Sequence, residues 1–190
     1  HMMRALLGEE LFWSAIAAFV NDNAHQTVET IDLLRAIEKA TGRNLTFLFD
    51  QYVYRGGHPD FKVTYAWDGD ANLAKVTVEQ TQVTGDDKNK ESFFDLRIPI
   101  GFGYINQADE LKVLTVRVSE KEQSFYFPLE KKPDFVSFDV GNHYLKTVTL
   151  EYPIPELKAQ LLHDRNPVSR IYAAEALAKK SSLEAMKALS

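Results

Sequence analysis

The spacing of apolar residues divides the chain into three stretches. In the first 55 residues, apolar side chains recur every three or four positions, which is the period of an amphipathic helix. This pattern predicts one helix that tolerates Gly8 and a second helix that runs from an N-cap at Thr30 to Gly42. A third helix is predicted after Asn44. Its apolar residues lie on nearly every side, so we expect it to be buried on most sides, against more protein than these short helices supply.

The helical period gives way to strict alternation at Gly56 and Gly57. Seven segments with strand patterns follow between residues 61 and 152, and no helical pattern separates them. We therefore predict a seven-stranded antiparallel β-sandwich. Pro99 and Pro128 suit edge strands or bulges, because proline cannot donate a hydrogen bond to a ladder.

A helical period returns at Pro153. It predicts a short helix, a second helix with Pro167 in its first turn, and the beginning of a third. The predicted fold class is α+β in several parts. A short helical bundle occupies residues 1–56, the β-sandwich occupies 57–152, and a helical pair begins at 153 and continues to 190.

Composition and charge narrow the classes of partner. The net charge of -5, without any basic run, argues against nucleic acid or an anionic membrane as a partner. The chain has no cysteine, so disulfides and cysteine-ligated zinc are excluded. No stretch is apolar for long enough to cross a membrane, and no signal peptide is recognisable. We expect a cytoplasmic protein.

Candidate chemistry is sparse along the chain. His25, His58, His143 and His163 are isolated from one another, and no H-E-x-x-H pair encodes a helical zinc site. The paired carboxylates lie in polar turns, at 86–87, 109–110 and 120–122, and are interpreted as solvated loop charge.

Two further features have structural interpretations. His58 lies between a glycine pair that ends a helix and Pro59, so it is interpreted as a junction residue. Gly101 and Gly103 are interpreted as a bend in a strand rather than a phosphate loop. No catalytic, cofactor-binding or metal-ligating residue is therefore assigned in this chain.

An ordered set of short motifs connects these segments. L-G-E-x-x-F stands at 7–12, T-x-D at 30–32, E-x-x-x-G-x-x-L at 38–45 and G-x-P at 57–59. Phe49 and Tyr52 stand where an F-x-x-W run is expected, with tyrosine in place of tryptophan. This order resembles the end of the catalytic domain of aminopeptidase N-like zinc metallopeptidases, the gluzincin aminopeptidases. The segment 160–177 resembles a HEAT-type repeat, the unit of that family's C-terminal helical domain.

The resemblance implies a role for each part. Residues 1–56 would end a catalytic domain, 57–152 would be the β-sandwich domain, and 153–190 would begin a HEAT-like helical domain. Family members carry H-E-x-x-H, a glutamate ligand and a transition-state tyrosine upstream of the L-G-E helix, and no matching motif stands in this chain. We expect a fragment that is not itself an enzyme and has no cofactor. Its parent would hold zinc in the missing catalytic domain and cleave N-terminal residues from peptides.

Two functions remain open at this point. In the first, the fragment supports the peptide chamber of a zinc aminopeptidase, and the peptide is a substrate of the parent only. In the second, the chain is a protein–protein interaction scaffold, a sandwich plus HEAT module from a catalytically inactive relative. The expected partners are the missing catalytic domain and the remaining HEAT-like repeats, and the isolated fragment is expected to self-associate.

Overall fold

The chain divides into two compact units, residues 1–58 and residues 59–190. The computed structural model describes residues 1–82, 93–105, 111–180 and 183–189. The carboxylate pairs at 86–87 and 109–110 lie outside the described residues. The three-domain division stays a prediction.

The first unit is helical. Leu7, Ala15 and Ile37 are among the buried residues that form its core, together with Leu48 and Phe49. Its elements are α1 (Met2–Leu7), α2 (Glu9–Asp22), α3 (Thr30–Thr41) and α4 (Thr46–Phe49), which continues into a π-helical turn (Asp50–Tyr54).

Two details of the first unit differ from the sequence predictions. Gly8 does not continue a helix. Its φ of 81° and ψ of 167° separate α1 from α2. The N-cap of α3 is Glu29 rather than Thr30, and the Glu29 backbone N–H donates to the Asp32 carboxylate at 2.9 Å. The predicted end of α3 is confirmed, because Gly42 adopts the left-handed conformation with φ 66°.

The third helix is only partly buried within this chain, as expected if the short helices do not supply all of its neighbours. Leu48 and Phe49 are buried, but Phe47, Val53 and Tyr54 are 44%, 52% and 57% exposed. An apolar pattern predicts which side chains gain by burial. It does not show how many of them the neighbouring helices can cover.

The second unit contains two β-sheets. Their strands are β1 (Asp60–Asp68), β2 (Leu73–Gln80), β3 (Leu96–Gly103), β4 (Leu111–Val118), β5 (Glu122–Pro128), β6 (Phe135–Phe138) and β7 (Thr147–Glu151). One sheet has the order β5-β2-β1-β7 and the other has the order β4-β3-β6. Rings from the two sheets meet, with centroids 5.4 Å apart for Phe61 and Phe138 and 5.0 Å apart for Phe102 and Phe127. The sheets therefore share one core.

The prediction of a wholly antiparallel arrangement is wrong at one pairing. β1 and β7 pair in parallel, with Phe61 opposite Val148, whereas the other four pairings are antiparallel. Parallel neighbours need a long crossover. Here the crossover contains the strands β2 to β6, because β1 and β7 are the first and last strands of the described residues.

The two prolines of the sheets have different positions. Pro128 lies in the edge strand β5, as predicted, but Pro99 lies in the central strand β3. The Pro99 carbonyl accepts a hydrogen bond from Val140 N–H at 3.0 Å, on the side of β3 that faces β6. The ladder between β3 and β6 begins one residue later, at Ile100, so Pro99 lies just outside it. The missing donor of Pro99 faces the same side, so no ladder bond is lost.

Helices close the second unit. They are α5 (Ile154–His163), α6 (Pro167–Lys179) and α7 (Leu183–Leu189). α5 packs against β6, and α6 packs against β7 and α5. The prediction that Pro167 lies in the first turn of α6 is confirmed, and the Asn166 side chain accepts from Val168 N–H at 2.9 Å as the N-cap. Within the described ranges, no helix combines the length and the apolar composition that a bilayer crossing requires.

Candidate functional site

The candidate histidines are spread over both units. His25, His58 and His163 are exposed, and His143 is half-buried beside Gly141. Among the residues that the structure describes, no three His, Asp or Glu side chains lie close enough together to hold a metal ion. The zinc ion that the resemblance implies for the parent therefore does not fit the described residues of this chain.

A cleft of about 620 Å³ lies between the three-stranded sheet and the α5–α6 turn. This volume is within the range of about 300–1,000 Å³ that small-molecule sites occupy. The floor is mainly apolar, and the turn contributes polar groups on the other side. The lining includes Leu111, Val113, Phe135 and Val140 from the sheet side and Asp164, Arg165 and Asn166 from the turn.

Two glycines of β3 shape the floor. Gly103 lies opposite Phe135 in the ladder between β3 and β6, and a Cβ on Gly103 would overlap the Phe135 ring. A Cβ on Gly101 would overlap the side chains of Leu111 and Val140. Large apolar side chains therefore lie flat across the sheet at these two positions, which matches the role of strand glycines where groups approach closely.

A buried ion pair holds the loop at the edge of the cleft. Lys146 Nζ lies 2.5 Å from Asp139 Oδ2 and 2.8 Å from Asn142 Oδ1. The same Asp139 oxygen accepts from Tyr144 N–H at 3.0 Å. These bonds fix the segment that carries Val140 and Gly141 into the cleft.

The opposite wall is an Asx turn. Asp164 Oδ1 accepts from Asn166 N–H at 2.9 Å, and Asn166 caps α6 in turn. The other oxygen of Asp164, Oδ2, is buried and has no hydrogen-bond partner among the described residues. Asp164 is 7% exposed.

Tyr104 directly follows β3 and also lines the cleft. Its hydroxyl donates to the Lys131 carbonyl at 3.3 Å, and the Lys131 ammonium lies 5.0 Å from the centroid of its ring. Burial raises the pKa of Tyr104, and the charges of Glu130 and Asp134 add to this effect. Tyr104 therefore remains a neutral hydroxyl at physiological pH.

The cleft can bind an apolar group beside hydrogen-bonding groups. Sequence reasoning did not find it, because its residues come from β3, β4, β6 and the α5–α6 turn, which are distant in the chain. One signal was present. Gly101 and Gly103 are two positions apart and therefore share one face of a strand, where large side chains can cross.

Comparisons with known proteins give a match in sequence and matches in fold. No protein-family model matches the chain. Tricorn protease-interacting factor F2 of Thermoplasma volcanium is 25% identical over 128 residues, which cover 66% of this chain and 16% of that protein. The crystal structure of Legionella pneumophila aminopeptidase A, in complex with aspartic acid, matches with a TM-score of 0.72. The structural match has 21% identity and covers 98% of this chain and 22% of the aminopeptidase.

The chain thus spans less than a quarter of the length of either protein. The structural match concerns the fold, and it extends over both units of the chain. The sequence match and the fold agree with the resemblance that the motifs at 7–12, 30–32, 38–45 and 57–59 carry. The chain is therefore similar in sequence to tricorn protease-interacting factor F2 and similar in fold to aminopeptidase A, and both similarities support the resemblance to aminopeptidase N-like proteins.

Proposed function

We propose that this chain is the non-catalytic C-terminal portion of a zinc-dependent aminopeptidase. The parent would remove N-terminal residues from peptides in the cytoplasm, with its zinc in a catalytic domain that these residues do not include. The observation that carries the proposal is the fold match to aminopeptidase A, which extends over 98% of this chain.

The proposed role of residues 57–152 is structural support. As a β-sandwich domain, they would separate the catalytic domain from a HEAT-like helical domain that begins at residue 153. The core supports this role, because Phe61, Ile98 and Phe102 are at most 2% exposed and their packing resists deformation. α5 packs directly on β6, so the sheets would set the orientation of the helices that follow.

The proposed partners follow from this role. The first unit would pack against the missing part of the catalytic domain, and α7 would be covered by further HEAT-like repeats. Without them, exposed Trp13, Phe47 and Val53 would favour self-association of the isolated chain.

The upstream reading frame provides the first test. The proposal expects it to encode H-E-x-x-H followed by a glutamate ligand, in frame with the L-G-E motif at 7–9. A longer protein that lacks both zinc motifs would overturn the proposal in favour of the second candidate.

The second candidate is an interaction scaffold from a catalytically inactive relative. Two observations favour it: the cleft of about 620 Å³, and the name of the Thermoplasma relative, which describes an interacting factor of tricorn protease. A scaffold would bind a protein partner with the cleft intact and lose it when Val113→Glu places a charge in the floor. An aminopeptidase support would keep its parent's hydrolysis unchanged in the same variant.

A further inference from the structure

A polar row lies on the buried face of α5. Glu156 and Gln160 are four positions apart, so they lie on the same face of the helix. They are 2% and 1% exposed. Glu156 Oε1 lies 2.7 Å from Lys132 Nζ, but Glu156 Oε2 and Gln160 Oε1 have no partner among the described residues.

Two tyrosines bring further unsatisfied groups to the same part of the core. Tyr65 lies on β1 and Tyr152 directly follows β7, with ring centroids 6.0 Å apart in an edge-to-face arrangement. They are 6% and 1% exposed, and neither hydroxyl has a partner among the described residues. Glu156 follows Tyr152 by four positions and lies in the first turn of α5, whose N-cap is Pro153. Burial raises the pKa of Tyr65, and the charge of Glu156 adds to this effect.

Burying these polar atoms destabilises the folded chain unless each of them has a hydrogen-bond partner. A buried polar atom without a hydrogen bond loses its hydration and gains nothing in return. Three such atoms, from Tyr65, Tyr152 and Glu156, would together remove a large share of the stability of a domain of this size. A small ligand that donates and accepts hydrogen bonds removes this cost.

Water is the ligand that fits these groups. The carboxylate oxygen can only accept, whereas each hydroxyl can donate or accept, and a buried water makes about three hydrogen bonds. The nearby ammonium of Lys132 already bonds to the other oxygen of Glu156. We propose that Tyr65 Oη, Tyr152 Oη and Glu156 Oε2 form a buried binding site for an ordered water molecule, which links the four-stranded sheet to α5.

The polar row connects this water site with the cleft. Asp164 follows Gln160 by four positions, is buried, and lines the cleft with an oxygen that also has no described partner. The row therefore extends from the water site at Glu156 to the cleft at Asp164. Gln160 lies between them, and its free acceptor oxygen can bind a second water.

Thermal melts of the 190-residue chain test the proposal, because it predicts whether the melting temperature falls or rises in a variant. If a water bonds to Tyr152, then Tyr152→Phe leaves that water short of a partner, and the melting temperature should fall by about 2–4 °C. If the hydroxyl has no partner, its removal should raise the melting temperature. Tyr144→Phe is the matched control, because the Tyr144 hydroxyl donates to the Arg97 carbonyl at 3.1 Å and its loss should lower the melting temperature in either case.

A high-resolution crystal structure of the same chain identifies the bonding atom. The proposal expects a water oxygen within about 3.2 Å of at least two of the three atoms. A melting temperature that is unchanged or higher in Tyr152→Phe would overturn it. Direct hydrogen bonds among Tyr65, Tyr152 and Glu156, with no water between them, would overturn it as well.

Discussion

Lys146 Nζ and Asp139 Oδ2 lie 2.5 Å apart, and at most 1% of either side chain is exposed. The pair closes the loop between β6 and β7 that carries Val140 and Gly141 to the cleft. Removing one member of a buried pair leaves the other charge without compensation.

We expect Asp139→Asn to reduce the free energy of unfolding by about 3–5 kcal/mol. Asparagine isolates the effect of the charge, because it tolerates the left-handed backbone that Asp139 adopts, with φ 55°. Glu151→Gln is the control, since the pair of Lys62 and Glu151 is exposed and 3.4 Å long and should contribute at most about 1 kcal/mol. Equal losses in urea unfolding of the two variants would contradict the role given to the buried pair.

The floor of the cleft depends on Gly103. Gly103→Ala should reduce the free energy of unfolding by about 1–3 kcal/mol, because the added Cβ overlaps the Phe135 ring and forces one of them to move. Gly69→Ala is matched to it, since the nearest atom to its Cβ would be 3.6 Å away in ordinary contact. Denaturant midpoints that shift equally in the two variants would show that the floor is not closely packed.

An exposed pair makes stability depend on pH. Arg117 donates two hydrogen bonds to Asp95, at 2.8 and 2.6 Å, and these bonds lower the pKa of Asp95. Because the folded pKa lies below the unfolded value of about 3.9, the stabilisation is present above that pH and is lost as the pH falls through the folded pKa.

Asp95→Asn should therefore destabilise the chain at neutral pH, by less than about 1 kcal/mol since both side chains are substantially exposed. The difference from the unmodified chain should disappear at acidic pH and shrink in high salt. Melting curves at several pH values check this. A difference that persists below the folded pKa of Asp95 would show that another interaction is lost.

At the junction of residues 56–59, we expect stability to depend on the backbone conformation of Gly57 and not on the side chain of His58. Gly57 has φ 79°, so Gly57→Val should cost about 1–3 kcal/mol of backbone strain. His58 is exposed, and His58→Ala should change the free energy of unfolding by no more than about 0.5 kcal/mol. A large loss for His58→Ala beside a small one for Gly57→Val would overturn the junction interpretation.

The sequence predicted those features of the fold that depend on interactions between residues close together in the chain. Gly42 and Pro167 mark helix ends because their backbone preferences act within one turn. Alternation likewise predicted that the strands lie between residues 61 and 152, and the described strands begin at Asp60 and end at Glu151.

The remaining features depend on contacts between distant segments. The parallel pairing of β1 with β7 joins residues about 87 positions apart, such as Asp60 and Thr147, and no local pattern specifies it. The exposure of Phe47 and Val53 depends on what covers α4, and the cleft depends on four separate elements. The spacing of apolar residues predicts whether one segment is a helix or a strand, but it does not identify the element against which that segment packs.

The most direct test of the proposed function compares hydrolysis by two proteins. One is the 190-residue chain, and the other is the product of the full reading frame that contains it, each supplied with zinc and given aminoacyl reporter substrates. The account predicts that the longer protein binds zinc and releases the reporter, whereas the chain alone does neither. Hydrolysis with about one zinc per 190-residue chain would contradict it, as would a longer protein that binds zinc and leaves every reporter intact.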